Sequence, residues 1–366
     1  MTVQAIDLGW HNPVRITWGS GSVRRLSLDQ PTVVVADHTA ISTENADFLR
    51  DTLGLYCAGW AWYEGGLATV EMARQLCKTL WPAMQRQPGI TVIGLGGGST
   101  LDLAKAVRYR LADTALCART WRHNQLPEVY ERHPLWLLPT TAGTGSEVTR
   151  WATLWDTEAL PAVKLSWSPQ DGFAERAIVD PDLTLSCPLA QSRDCALDTL
   201  AHALESLWNK KSNPITEALA IEAARIVIAQ LPLLLQGQNP DAPRIALARA
   251  SLLAGLAMSQ TQTALAHALS YDLTLNEHMP HGHACAVWLP MVWELAQEAS
   301  NTCAALLGRV FDDTNTLGAQ QLSQWLNGLG VSTRDLRTTL SGRERLSSEL
   351  GSTRGRNFIG SPAKAN

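Results

Sequence analysis

The chain has 366 residues, 45% of them hydrophobic and 17% charged, enough for two domains with a large core and too apolar for a disordered chain. A net charge of −4 supplies no basic field, which argues against nucleic acid as a partner. The amino terminus has neither the basic stretch nor the apolar core of a signal peptide, no uninterrupted apolar run reaches the roughly 18 residues of a membrane span, and the seven cysteines are scattered without a C-x-x-C, so a cytoplasmic protein with reduced thiols and no membrane partner is expected.

Residues 13–25 read as a short strand, a Gly-Ser-Gly turn and the start of a helix. P-T-V-V-V-A-D (31–37) is a β-branched run ending in Asp37, as expected of a buried parallel strand. Helix is expected over 39–53, a strand near 55–61 and helix again over 66–86. In G-I-T-V-I-G-L-G-G-G-S-T-L-D-L-A-K (89–105) an apolar strand runs into three glycines and then a helix. Ser99 is placed to cap that helix, with Asp102 three residues on. Glycines let backbone amides approach a phosphate at a helix N-terminus, although the spacing is not that of G-x-G-x-x-G. An ordinary tight turn is the competing reading. L-W-L-L-P-T-T-A-G-T-G-S-E-V-T (135–149) repeats the pattern: a buried strand ends in a loop of hydroxyls and amides. Two such loops at the ends of successive strands are what an open parallel sheet sets along one edge. R-A-I-V-D-P (176–181) adds a further short strand.

Beyond about residue 186 strand signals nearly vanish. The stretches 190–210, 214–235, 243–259, 261–276 and 286–300 are Ala- and Leu-rich with helical period. The division expected is an α/β domain over 1–185 and an all-helical domain over 186–366, with a mobile end to the tail. Within A-L-D-T-L-A-H-A-L-E-S-L-W, Asp198 and His202 stand four apart and share a helix face. By itself that pair more often marks a capped or solvated couple than a metal site. With His267 and His281 added, the donors would be three imidazoles and one carboxylate, a set that suits Zn or Fe(II).

These motifs, in this order, resemble the iron-containing (group III) alcohol dehydrogenase family. The matching stretches are G-G-G-S-T-L-D-L-A-K, P-T-T-A-G-T-G-S-E-V-T, A-L-D-T-L-A-H-A-L-E-S, N-P-I-T-E-A-L-A, L-L-A-G-L-A-M-S and P-H-G-H-A-C-A. The resemblance implies a Rossmann-like α/β dinucleotide-binding domain, an all-helical second domain, and nicotinamide and metal held in a cleft between them. It implies Asp198, His202, His267 and His281 as ligands of Fe2+ or Zn2+. Gly97, Gly98 and Ser99 would hold the pyrophosphate, with Asp102 supporting that loop or the ribose. Thr140, Thr141 and Thr149 would line the nicotinamide, and Lys164 would lie near its ribose. Asp37 would bond the adenosine ribose, which favours NADH over NADPH because a carboxylate repels a 2′-phosphate.

One position departs from the pattern. Many members carry a second imidazole four residues after the third ligand; here Tyr271 stands there. A phenol donates a hydrogen bond but titrates near pH 10, so Tyr271 is a candidate to orient substrate or pass a proton, with His281 beside the chemistry. W-A-T-L-W-D, A-L-E-S-L-W-N, A-L-S-Y-D-L-T and H-G-H-A-C-A look like the branch that reduces phosphonoacetaldehyde to 2-hydroxyethylphosphonate in phosphonate biosynthesis. Its dianion would need groups to pair with, and Arg150, Lys164, Asn209, Lys210 and His283 are the candidates. His278 and His283 could instead support the ligands. A dimer or larger assembly is a family-level expectation. Rival readings are another small aldehyde, alcohol or diol on the same machinery, a dehydroquinate-synthase-like cyclase, and a relative that only binds nucleotide.

Overall fold

A computed structural model of the chain describes residues 8–110, 114–160, 162–237, 241–311 and 318–362. By compactness the chain falls into two units, one of Pro13–Ser192 with Gly237–Leu252, the other of Met1–Asn12, Arg193–Gln236 and Leu253–Asn366. The division thus lies at 192/193, and a short helical segment beyond it packs with the first unit.

The α/β unit is built on a six-stranded parallel sheet. In chain order its elements are β1 (Arg15–Trp18), β2 (Thr32–Asp37), α1 (Thr43–Leu53), β3 (Cys57–Tyr63), α2 (Val70–Arg86), β4 (Thr91–Gly96), α3 (Gly98–Val107), β5 (Tyr109–Arg110), α4 (Thr114–His123), β6 (Glu131–Arg132), β7 (Leu135–Pro139), β8 (Ala152–Asp156), β9 (Val163–Trp167) and β10 (Arg176–Val179). The sheet order is β1-β10-β7-β4-β2-β3, every pair parallel. β2, β4 and β7 are buried along their whole length, which is why they read as continuous apolar runs without alternation. Each fully buried Val of β2 contributes about 1.5–3 kcal/mol, so side-chain burial fixes this strand. β8 and β9 form a separate antiparallel hairpin that the sequence reading did not anticipate. Residues 23–25 make a single 3-10 turn and not a full helix.

β2 is followed in sequence by β3 on one side, and the chain then crosses to β4 on the other. That reversal opens a crevice at the carboxyl ends of β2 and β4, where ligands bind in open α/β sheets. Asp37 ends β2, Gly96 ends β4 and Pro139 ends β7, so the three phosphate-edge candidates lie on neighbouring strands.

The helical unit contains α5 (Leu189–Leu207, from Arg193), α6 (Pro214–Gln236), the later part of α7 (Asp241–Thr261), α8 (Leu265–Asn276), α9 (His281–Ala286), α10 (Leu289–Ala299), α11 (Asn301–Gly308), α12 (Gly318–Gly328) and α13 (Leu340–Leu350). Among the described residues α6 is long and apolar enough to cross a membrane by length and composition alone. It also carries Glu217, Glu222 and Arg225 and buries Ala220, Ile221, Ala224 and Val227, the character of a core helix. The tail is structured up to Pro362, and its end, expected to be mobile, lies outside the described residues. Ile359 donates its amide to Trp208 O at 2.9 Å, Lys210 Nζ donates to Ser361 O at 2.8 Å and Phe358 is buried. Residues 363–366 lie outside the described ones.

Candidate active site

The helical unit gathers five donor groups around one buried point. α5 brings Asp198 and His202 to one face, four residues apart. α8 brings His267, and α9 brings His281 and Cys285. Donor atoms of Asp198, His267, His281 and Cys285 all lie within 4.8 Å of one another. His202 completes the wall: its Nε2 is 3.8 Å from Asp198 Oδ1, and its ring stacks on His267 at 4.7 Å. His281 meets His267 edge-on at 5.3 Å. Gly282 allows this approach, because a Cβ there would overlap the carbonyl oxygen of Asp194 and stand 2.8 Å from the Asp198 amide nitrogen.

The donors suit a divalent cation on two observations. Asp198 Oδ1 and His267 Nε2 are buried and make no hydrogen bond, a costly state for atoms of this kind unless something else satisfies them. Their separation of 3.4 Å is that of two ligands sharing an ion. The electrostatics agree. Burial opposes ionisation of Asp198, yet the imidazoles of His202, His267 and His281 overcome it and hold its carboxyl well below the ordinary range. Burial likewise pushes His267 toward neutrality, but Cys285, Glu205 and Asp198 raise its proton affinity well above normal. Both shifts arise because a buried carboxylate and the imidazoles around it face one another across a single point.

Glu205 was missed by the sequence reading. It is fully buried, and its Oε2 lies 2.8 Å from His267 Nδ1. The amides of Ala264 and His267 also donate to it, at 2.6 and 3.0 Å. Burial disfavours its charge, but His267 and these amides keep its carboxyl below the usual range. This partner fixes the His267 tautomer with Nδ1–H donated and Nε2 turned to the shared point. The signal was present: Asp198, His202 and Glu205 fall at i, i+4 and i+7 of one helix. Glu205→Gln keeps the shape and removes the charge. It is expected to weaken metal affinity by roughly 10–100-fold, read by competition with a chelator; equal affinity would mean that Glu205 only packs.

In the α/β unit the glycine loop differs from its expected capping. The helix starts at Gly98, with Gly97 as its N-cap and no side-chain cap, and Ser99 lies inside the first turn, donating to Gly66 O at 3.2 Å. The Gly97–Gly98 pair begins the helix earlier than a serine cap would. Its first amides are thereby left without a side-chain acceptor, as an anion site needs. A Cβ on Gly98 would stand 2.5 Å from Thr144, so the 140s loop closes directly over the glycines. Asp102 is not part of a capping box. It accepts from Ser146 Oγ at 2.7 Å and the Thr153 amide at 2.8 Å, tying α3 to that loop. Lys105, also missed, is buried and reaches Ser146 O at 2.7 Å and Trp151 O at 2.6 Å; burial lowers its pKa to about 8.

Asp37 is buried, with Oδ1 accepting from Thr39 N at 2.8 Å and Oγ1 at 2.7 Å and Oδ2 from Thr100 at 3.2 Å. Thr140 Oγ1 is buried without a hydrogen bond, whereas Thr149 Oγ1 faces Lys105 Nζ at 3.4 Å. Thr141 lines a cleft with Pro139, Glu147, Asp180 and Thr184. Lys164 lies on β9 with Nζ 5.6 Å from the Trp155 ring, near enough to Asp102 to steady its charge. Arg150 packs on Trp151 at 5.5 Å.

In the helical unit Asn209 spends its amide on Gln262 O and the Lys211 amide. His283 faces Asp194 at 3.7 Å, and burial lowers its pKa. His278 is exposed in the turn before α9. Tyr271 follows His267 by one helical turn, and burial raises its pKa.

The pattern described for iron-containing alcohol dehydrogenase matches residues 13–181, and that for the C-terminal part of the Fe-containing alcohol dehydrogenase family matches residues 193–343. Long-chain-alcohol dehydrogenase 1 of Geobacillus thermodenitrificans is 34% identical over 62% of this chain and 55% of its own. The probable alcohol dehydrogenase EutG of Escherichia coli is 30% identical over 74% of this chain and 72% of its own. The sulfoacetaldehyde reductase of Bilophila wadsworthia is 33% identical over 54% of this chain and 50% of its own. The chain spans about half the length of the first curated relatives it matches. A crystal structure of an iron-containing alcohol dehydrogenase superposes with a TM-score of 0.79 at 26% identity, covering 97% of this chain and 95% of that one.

Proposed function

The chain belongs to the iron-containing alcohol dehydrogenase family, and from that premise we propose that it reduces a small aldehyde to a primary alcohol with NADH, reversibly and with a divalent metal. The substrate we favour is phosphonoacetaldehyde, giving 2-hydroxyethylphosphonate. The observation that carries the reading is the convergence of Asp198, His202, His267 and His281 on one buried point, with two polar atoms there unsatisfied. The Asp37 carboxylate supports NADH over NADPH, and the cytoplasmic location and homo-oligomeric assembly belong to the same proposal. A relative named for sulfoacetaldehyde, a two-carbon aldehyde with an anionic tail, supports the substrate class.

Asp198, His202, His267 and His281 would hold the metal. When bound, the nicotinamide supplies a hydride and the metal a Lewis acid that polarises a carbonyl. The balance is aldehyde, NADH and one proton giving alcohol and NAD+. Glu205 holds His267 in the tautomer the site needs. Gly97 and Gly98 offer backbone amides to the pyrophosphate, and Asp102 with Lys105 fixes the loop that faces them. Tyr271, protonated at neutral pH, donates a hydrogen bond to the substrate oxygen and can pass a proton to it.

The test is an NADH-oxidation screen over phosphonoacetaldehyde, sulfoacetaldehyde and propanal, with metal analysis of the same sample. Stoichiometric NADH consumption with about one metal per chain is expected. Turnover that needs NAD yet consumes none would favour the cyclase reading. No consumption by metal-loaded enzyme with any aldehyde would overturn the dehydrogenase reading.

A further inference from the structure

Tyr271 carries a cation on its ring. Arg354 Cζ lies 5.2 Å from the ring centroid, and the phenol is close enough to feel the charges of His267, Cys285 and Glu205. Arg354 comes from the tail beyond residue 343, where the family match ends. That tail is firmly held: Asn357 Nδ2 donates to Thr263 O at 2.8 Å, Lys210 Nζ to Ser361 O at 2.8 Å, and Asn209 bridges Phe358. Arg354 is half-buried, and among the described residues its guanidinium forms no ion pair. The neighbouring tail cation differs: Arg345 pairs with Asp272 at 2.9 Å.

A guanidinium stacked on an aromatic ring keeps its in-plane N–H groups free. Those groups form a planar fork that matches two oxygens of a tetrahedral oxyanion. Partial burial makes the interaction stronger than at a solvated surface, because the charge is already partly stripped of water. Tyr271, whose ring the guanidinium covers, follows His267 of the donor cluster by one helical turn of α8.

We infer that Arg354, stacked on Tyr271, is the specificity residue that binds the terminal oxyanion of a short aldehyde substrate. Phosphonate and sulfonate tails share the recognised chemistry. The inference rests on the dehydrogenase reading above and narrows its substrate class.

The experiment measures kcat/KM of the metal-loaded enzyme for phosphonoacetaldehyde, sulfoacetaldehyde and propanal, for wild type, Arg354→Met and Arg354→Lys, with melting midpoints alongside. Wild type is expected to prefer one or both anionic aldehydes. Arg354→Met should lower the ratio of anionic to neutral kcat/KM by roughly 10–100-fold, mainly through KM, as loss of a charge-assisted hydrogen bond requires. Arg354→Lys should fall between, since it keeps the charge and loses the fork. The larger loss of the two tails identifies the anion recognised. An unchanged ratio in Arg354→Lys and Arg354→Met would overturn the inference, and Arg354→Lys carries the test if the Met variant does not fold. A wild-type preference for propanal would overturn it and leave the dehydrogenase reading standing. Failure of wild type to reduce any of the three would remove both.

Discussion

Replacing His202 by alanine is expected to strip the metal and lower aldehyde reduction by about 10³-fold or more, since a Lewis acid at a carbonyl is worth several kcal/mol and each 1.36 kcal/mol is tenfold in rate. NADH affinity should change little, because Asp37, Gly97 and Gly98 belong to the α/β unit. The prediction also decides between two ligand sets. The donor atoms of Asp198, His267, His281 and Cys285 lie within 4.8 Å of one another, while His202 Nε2 stands 3.8 Å from Asp198 Oδ1. Imidazole in place of sulfur makes the site harder and suits Fe(II); a thiolate would favour a softer ion. We assign the fourth place to His202, whose ring is already fixed by stacking on His267. Cys285→Ala should then retain most of the metal and turnover. Metal content, single-turnover NADH oxidation and NADH fluorescence titration check each part. Full activity in His202→Ala, with loss in Cys285→Ala, would reverse the assignment.

Gly282→Ala is expected to be nearly as damaging without touching a donor atom. A Cβ at 282 would overlap the Asp194 carbonyl oxygen and press on the Asp198 amide and Cβ, at 2.8 and 2.9 Å. The oxygen and nitrogen are backbone atoms of α5 and the Cβ is fixed to that backbone, so none can swing aside as the end of a flexible side chain would. α9 must therefore retreat from α5, and His281 retreats from Asp198 with it. Overpacking of this kind costs about 1–3 kcal/mol, occasionally more. The same displacement should weaken metal binding by roughly 10–100-fold, the scale seen when ligand support is lost. Melting midpoint and chelator competition measure the two effects. A variant with ordinary stability and affinity would mean that α9 approaches α5 less closely than the structure has it.

The parallel sheet was legible because β2, β4 and β7 are buried on both faces and so read as unbroken apolar runs. The helical half was legible from its period, and the ligand candidates on α5 from a four-residue spacing that only a helix makes meaningful. Glu205 shared that face but looked like an ordinary helix charge. Its meaning depends on α8 arriving 62 residues later, which local pattern does not encode. Cys285 was hidden for the same reason. Ser99 misled because a serine after glycines is a good cap by propensity, whereas the helix begins at Gly98 with Gly97 as its N-cap. The Gly, Ser and Arg content of the tail gave no sign that Phe358 would be buried and that the Ile359 amide would bond Trp208 O. Trp121, Trp167, Trp208, Trp288 and Trp293 are almost fully buried.

Anomalous diffraction at the iron edge from crystals of ferrous-loaded protein tests the central claim most directly. The account predicts one peak per chain, within about 2.0–2.2 Å of an Asp198 oxygen and of one nitrogen from each of His202, His267 and His281. A peak out of reach of Asp198, or no bound ion in protein that reduces aldehydes at full rate, would contradict it.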